Sequence, residues 1–111
     1  MSAERISVED PIGVLRAAVD ATMQAVLRLD PHHEEARAEV DRALTAFAAA
    51  VAPVGDRLRE AAERAPHGAV AVALGFLRDA GDHVAGGDVQ AARVAVLAGR
   101  ATLFRLASER R

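Results

Sequence analysis

His32-His33-Glu34-Glu35 is the most metal-like run in the chain. Side chains three or four residues apart share a helix face, and only His32 and Glu35 have that spacing here. A helical di-metal site needs a Glu-x-x-His pair and further carboxylates, none of which accompany them. The run therefore reads as the polar first turn of a helix, and no metal is expected. His67 and His83 are the other imidazoles placed where phosphotransfer chemistry can sit. His67 falls in a Pro-His-Gly turn and reads as a surface residue. His83 stands near a predicted helix C-terminus, where a protonated ring is favoured by the helix dipole. The three serines, Ser2, Ser7 and Ser108, lie at the ends of a chain without cysteine, tryptophan or tyrosine. Neither a nucleophile–base pair nor a phosphate or dinucleotide loop can be assembled from these residues. The sequence predicts no catalytic residue and no cofactor.

Arginine carries the remaining chemistry, since lysine is absent. Arg93 and Arg100, one heptad apart among apolar neighbours, are the most informative charges. Desolvated guanidinium groups need carboxylates, and Glu60, Glu63 or Asp79 are the expected internal partners. A salt bridge across an oligomer seam and a bound anion are the functional alternatives. Arg105, Arg110 and Arg111 make a small basic end. Without interleaved aromatics or a recognition helix it argues only weakly for nucleic acid.

The elements that must position these residues are helices. Val40, Leu44, Phe47, Val51, Val54, Leu58, Ala61 and Ala65 alternate in steps of four and three, keeping one apolar seam in phase. The seam belongs to a second helix over about 31–65, started by Asp30-Pro31, with Glu34 and Glu35 in its first turn. Pro53 must kink or break it, and the unbroken seam favours a kink. Before it, a first helix is capped by Ser7 or by Asp10 with Pro11 following. Its seam is Ile12, Leu15, Val19, Thr22, Val26 and Leu29, with Met23 and Leu27 beside it. Arg16, Asp20, Gln24 and Arg28 form a solvated stripe opposite.

Pro66-His67-Gly68 is a turn. A third helix over about 69–85 follows, with Val70, Leu74, Leu77, Gly81 and Val84 as its seam and Arg78–Asp82 as an i,i+4 pair. Gly86-Gly87 ends it, and Asp88 caps a fourth helix running to about 108. That helix has one seam of Val89, Ala92, Val96, Gly99, Leu103 and Leu106, and a second apolar row of Val94, Leu97, Ala101 and Phe104. A helix apolar on so many sides is either central in its bundle or part of an interface. Gly81 and Gly99, within seams, are expected to mark close helix approach.

Two resemblances are weak. Arg64-Ala65-Pro66 through Leu74-Gly75-Phe76 is faintly similar to the dimerisation hairpin of sensor histidine kinases. Ala61, however, stands five residues before the proline, where the phosphoacceptor belongs. Gly86 to Ala92 is superficially similar to the turn of a tetratricopeptide hairpin, without its aromatic positions or a second repeat. Neither family is assigned.

At 111 residues the chain fits one domain, 1–111, with about 1–6 and 109–111 as loose ends. Such a chain buries roughly 65% of its unfolded surface and needs no staple. Its net charge of -2 gives no global attraction to nucleic acid or anionic membrane. The 51% hydrophobic content is largely alanine, so helices form readily while each contact buries little. A core poor in large side chains gains from a partner. No stretch reaches the ~20 uncharged residues of a membrane span, and no signal peptide is visible, so a cytoplasmic location is expected.

The expected fold is all-α, an antiparallel four-helix bundle with a long second helix kinked or broken at Pro53. The expected role is a non-catalytic protein–protein interaction or assembly module, self-associating as a homo-oligomer or bound to another protein. Its contact surface would be Val89, Arg93, Val96, Arg100, Leu103 and Phe104. A DNA-associated or antitoxin-like accessory and a phosphotransfer or small-ligand-binding bundle are the alternative classes.

Overall fold

The computed structural model describes residues 10–30 and 32–109, with side chains as far as Arg105. Ser7, the lead-in 1–6, Pro31, the Leu106 side chain and the end 110–111 lie outside the described residues. Among the described residues five helical segments follow one another: α1 (Pro11–Arg28), α2 (Ala36–Val51), α3 (Gly55–Arg64), α4 (Ala69–Ala85) and α5 (Val89–Glu109). A 3-10 turn, Ala52–Val54, joins α2 to α3, so the chain makes an antiparallel bundle of four rods. Going around it, α1 lies between α2 and α5, and α4 lies between α5 and the bent second rod.

Local chemistry explains the boundaries. Asp10 caps α1: its carboxylate accepts the Gly13 N–H at 3.1 Å, and Pro11 takes the first helical position. The second rod begins later than expected, at Ala36 rather than near 31. The Asp30 carboxylate accepts the N–H of His32 at 2.9 Å, and the Asp30 carbonyl accepts that of His33. This local turn competes with a helix start. The ring of His33 then accepts the Glu35 N–H, so Glu34 and Glu35 stand ahead of the helix instead of in its first turn.

Pro53 bends the rod without cutting it. Proline has no N–H to offer Ala49, and the chain tightens into a 3-10 turn in which the Gly55 N–H bonds the Ala52 carbonyl. The seam survives the bend. Val40, Val54 and Leu58 are buried, and Leu44, Phe47, Val51 and Ala61 pack against them. Ala65 is exposed in the turn that follows.

At the other end, Gly87 adopts φ +85°, and the N–H groups of Gly87 and Asp88 bond the carbonyls of Val84 and His83. This left-handed closure suits glycine, and Asp88 caps α5 by accepting the Ala91 N–H at 3.0 Å. The core runs through Leu15, Val19 and Val26 of α1, Leu77 and Val84 of α4, and Val96 and Leu103 of α5. Thr22, buried among them, donates its hydroxyl to the Ala18 carbonyl at 2.8 Å.

The α4 seam sits slightly around the helix from its expected line. Ala73 and Ala80 are buried where Leu74 and Gly81 were expected. Gly81 is exposed, with nothing within 4 Å of where a Cβ would be, so it marks no close approach. Nor do Arg78 and Asp82 join in an ion pair; both are exposed.

Candidate interaction surface

α5 has two apolar rows, and the bundle takes only one of them. Ala92, Val96, Gly99 and Leu103 are buried and Val89 is half-buried. Gly99 makes this possible. A Cβ there would lie 2.8 Å from Leu77 Cδ2 and 3.5 Å from Phe76 Cβ, so the bare glycine lets α4 and α5 close on each other. The second row stays outside: Val94 is 63% exposed, Leu97 38% and Phe104 39%. Ala101 lies among them and is also exposed.

Geometry thus divides the six expected contact residues. Val96 and Leu103 belong to the chain's own core and are not accessible to a partner. Val89 packs at the core's margin. Arg100 and Phe104 lie on the flank that faces α1, and Arg93, one heptad before Arg100, is half-buried. Val94 and Leu97 were legible in the sequence as the second row, and they are the residues that actually face outward.

The partner of Arg100 differs from all three carboxylates expected for it. Its Nε donates to Asp20 Oδ1 of α1 at 2.8 Å, while Glu60, Glu63 and Asp79 take no part. The same guanidinium lies 3.9 Å from the centroid of the Phe104 ring, and that of Arg16 lies 5.7 Å away. Arg16 and Asp20 are therefore half-buried against α5, not part of a free stripe as the i,i+4 pattern suggested; Gln24 and Arg28 do remain exposed. Both members of the Arg100–Asp20 pair are about a third exposed, which limits its worth to roughly 0.2–1 kcal/mol. Arg93 reaches only Gln90 Oε1, at 3.5 Å, and its Nε is buried with no acceptor among the described residues.

On the other flank, α4 runs antiparallel to α5. A cleft of about 540 Å³ opens there, lined by His67, Gly68, Val72, Phe76, Thr102 and Arg105. His67 sits exposed in its turn and His83 exposed on the last turn of α4. His32, His33, Glu34 and Glu35 are exposed as well, and among the described residues no three histidine or carboxylate side chains gather around a point. No helix among the described residues is long and apolar enough to cross a membrane.

A different outer face, between α1 and α2, is lined by Ala21, Ala25, Ala46 and Ala50 around Phe47. Alanine methyls offer little area to a partner. The outer side of α5 presents larger side chains, Val94, Leu97 and Phe104. Compared with known proteins, the chain matches no family model, no curated protein and no solved structure.

Proposed function

We propose that this chain is a non-catalytic interaction or assembly module whose contact face is the outer side of α5. One observation carries the reading: Val94 and Leu97 are large apolar side chains left exposed on the outward line of α5, with the part-exposed Phe104 at its α1 edge beside Arg100. A row of this kind costs solubility unless something covers it, and exposed apolar patches mark protein contacts. The flanking arginines supply the polar rim that such contacts carry.

The test is the size of the native assembly. An epitope-tagged chain in a lysate of its own cells is run by size exclusion beside its Val94→Glu/Leu97→Glu variant. The expected result is an apparent mass well above the 11.6 kDa chain, collapsing to the monomer in the variant. Circular dichroism should be unchanged, because both side chains point away from the core. Equal masses for the two proteins, or an unfolded variant, would overturn the reading.

A further inference from the structure

We propose that the occupant of this face is a second copy of the chain, docked antiparallel about a two-fold axis, with Asp79 of each copy against Arg105 of the other. The inference rests on the interaction-module reading and names its partner. Among the described residues, four of the five exposed large apolar side chains, Val72, Val94, Leu97 and Phe104, lie on the α4–α5 hairpin; Leu27 is the exception. On α4, Val72 adds an exposed apolar side chain at the cleft it shares with Thr102 and Arg105.

On the outward face of that hairpin the two ends differ in charge, since Arg78 lines the groove toward α3 and Arg93 is half-buried. Gly99 lies beside Ala73, Phe76 and Leu77. Because the helices run in opposite directions, counting outward places Val72 level with Thr102 and Asp79 level with Val94 and Ala95. The cleft shared by Val72, Thr102 and Arg105 agrees with that register. The closed end of the hairpin thus presents Asp79, and further along Asp82 and Asp88, all exposed. The open end presents Arg105, with His67 across the cleft. Neither Asp79 nor Arg105 has an ion-pair partner among the described residues.

Between the two ends, successive side chains on the outward line of α5 are Gln90, Val94, Leu97 and Ala101, none charged. About ten residues separate the level of Asp79 from Arg105, or ~15 Å of helix. A two-fold axis crossing α5 midway, beside Leu97 and Ala101, exchanges the two ends. Asp79 then meets Arg105 twice, the stem of each Arg105 lies over Val94 of the other copy, and the small Ala101 allows the helices to approach at the centre. Such a contact is self-complementary, as a two-fold interface must be. A parallel pairing would stack Arg105 on Arg105. Arg100, the other arginine near the axis, is already bonded to Asp20 of its own chain, so it does not oppose the approach. Nucleic acid is a poorer occupant, because phosphates complement neither Asp79 nor an apolar row.

Equilibrium sedimentation of the purified protein, across a hundredfold concentration range, tests the pairing with Asp79→Arg, Arg105→Glu and the double reversal. The wild type should be a dimer. Each single reversal should raise the dimer dissociation constant by about tenfold or more, because a two-fold interface doubles every change. The double reversal should restore near-wild-type association, since each altered side chain again meets its opposite; both sites are exposed, so the monomer fold should persist. A wild-type monomer throughout would overturn the second-copy proposal. If the tagged chain nevertheless ran as a large assembly in the lysate, the module reading would stand with a different partner. A dimer that Val94→Glu/Leu97→Glu dissociates but the charge reversals leave unchanged would overturn the antiparallel register alone.

Discussion

At Gly99 a methyl group would press within 2.8 Å of a Leu77 methyl, while at Gly81 it would meet nothing within 4 Å. The two glycines thus act in opposite ways. Gly81 costs its helix about 1 kcal/mol relative to alanine, with no packing gain in return. Gly81→Ala should therefore raise the unfolding free energy by up to about 1 kcal/mol. Gly99→Val must displace the buried Leu77 side chain in the α4–α5 contact and should lower it by about 1–3 kcal/mol. Urea unfolding of the two variants decides it, and a stabilised Gly99→Val protein would contradict the close approach. Sequence spacing put both glycines on seams, because a period of ~3.6 fixes a stripe only to within a residue. The side of α4 that turned inward carries Ala73 and Ala80, and α5 sets that side. Likewise, Asp20 and Arg100 are 80 residues apart. A local i,i+4 pattern describes only the exposed half of such a residue's options.

Elements were easier to read than contacts, because their ends are written in short-range chemistry. Asp10-Pro11, Pro66-His67-Gly68 and Gly86-Gly87-Asp88 each stop or start a helix where expected. The start of α2 was hidden for the same kind of reason. The Asp30 carboxylate turns to His32 and the His33 ring to Glu35, so a polar run that suits a helix start is held in a turn. The α4–α5 turn holds the proposed contact helices in register, and two groups set it. Gly87, at φ +85°, has a conformation that costs other residues about 1–2 kcal/mol. The Asp88 cap is worth ~1 kcal/mol. Gly87→Ala and Asp88→Ala should each destabilise the chain by about 1 kcal/mol, and Asp88→Asn by much less, since the amide oxygen still accepts the Ala91 N–H. Thermal melts of the three variants check this; an Asp88→Asn variant as damaged as Asp88→Ala would mean that the charge, not the cap, matters.

For the whole molecule, stability and assembly become one quantity. The bundle leaves many alanines on its surface, and with them the larger side chains of the α5 row. If a second copy covers that row, the dimer is more stable than the folded monomer, and above its dissociation constant mass action must move the melting point. A tenfold rise in protein concentration favours the dimer by about 1.4 kcal/mol, which for a pair of chains this size raises Tm by about 3–5 °C. The Val94→Glu/Leu97→Glu variant should melt at one temperature regardless of concentration, below the wild type at high concentration and close to its dilute limit. Scanning calorimetry over a hundredfold range reads both effects at once. A wild-type Tm that does not move with concentration would show that the exposed α5 row contributes nothing to folding through a second copy. A partner for its apolar side chains would then be sought in a different protein.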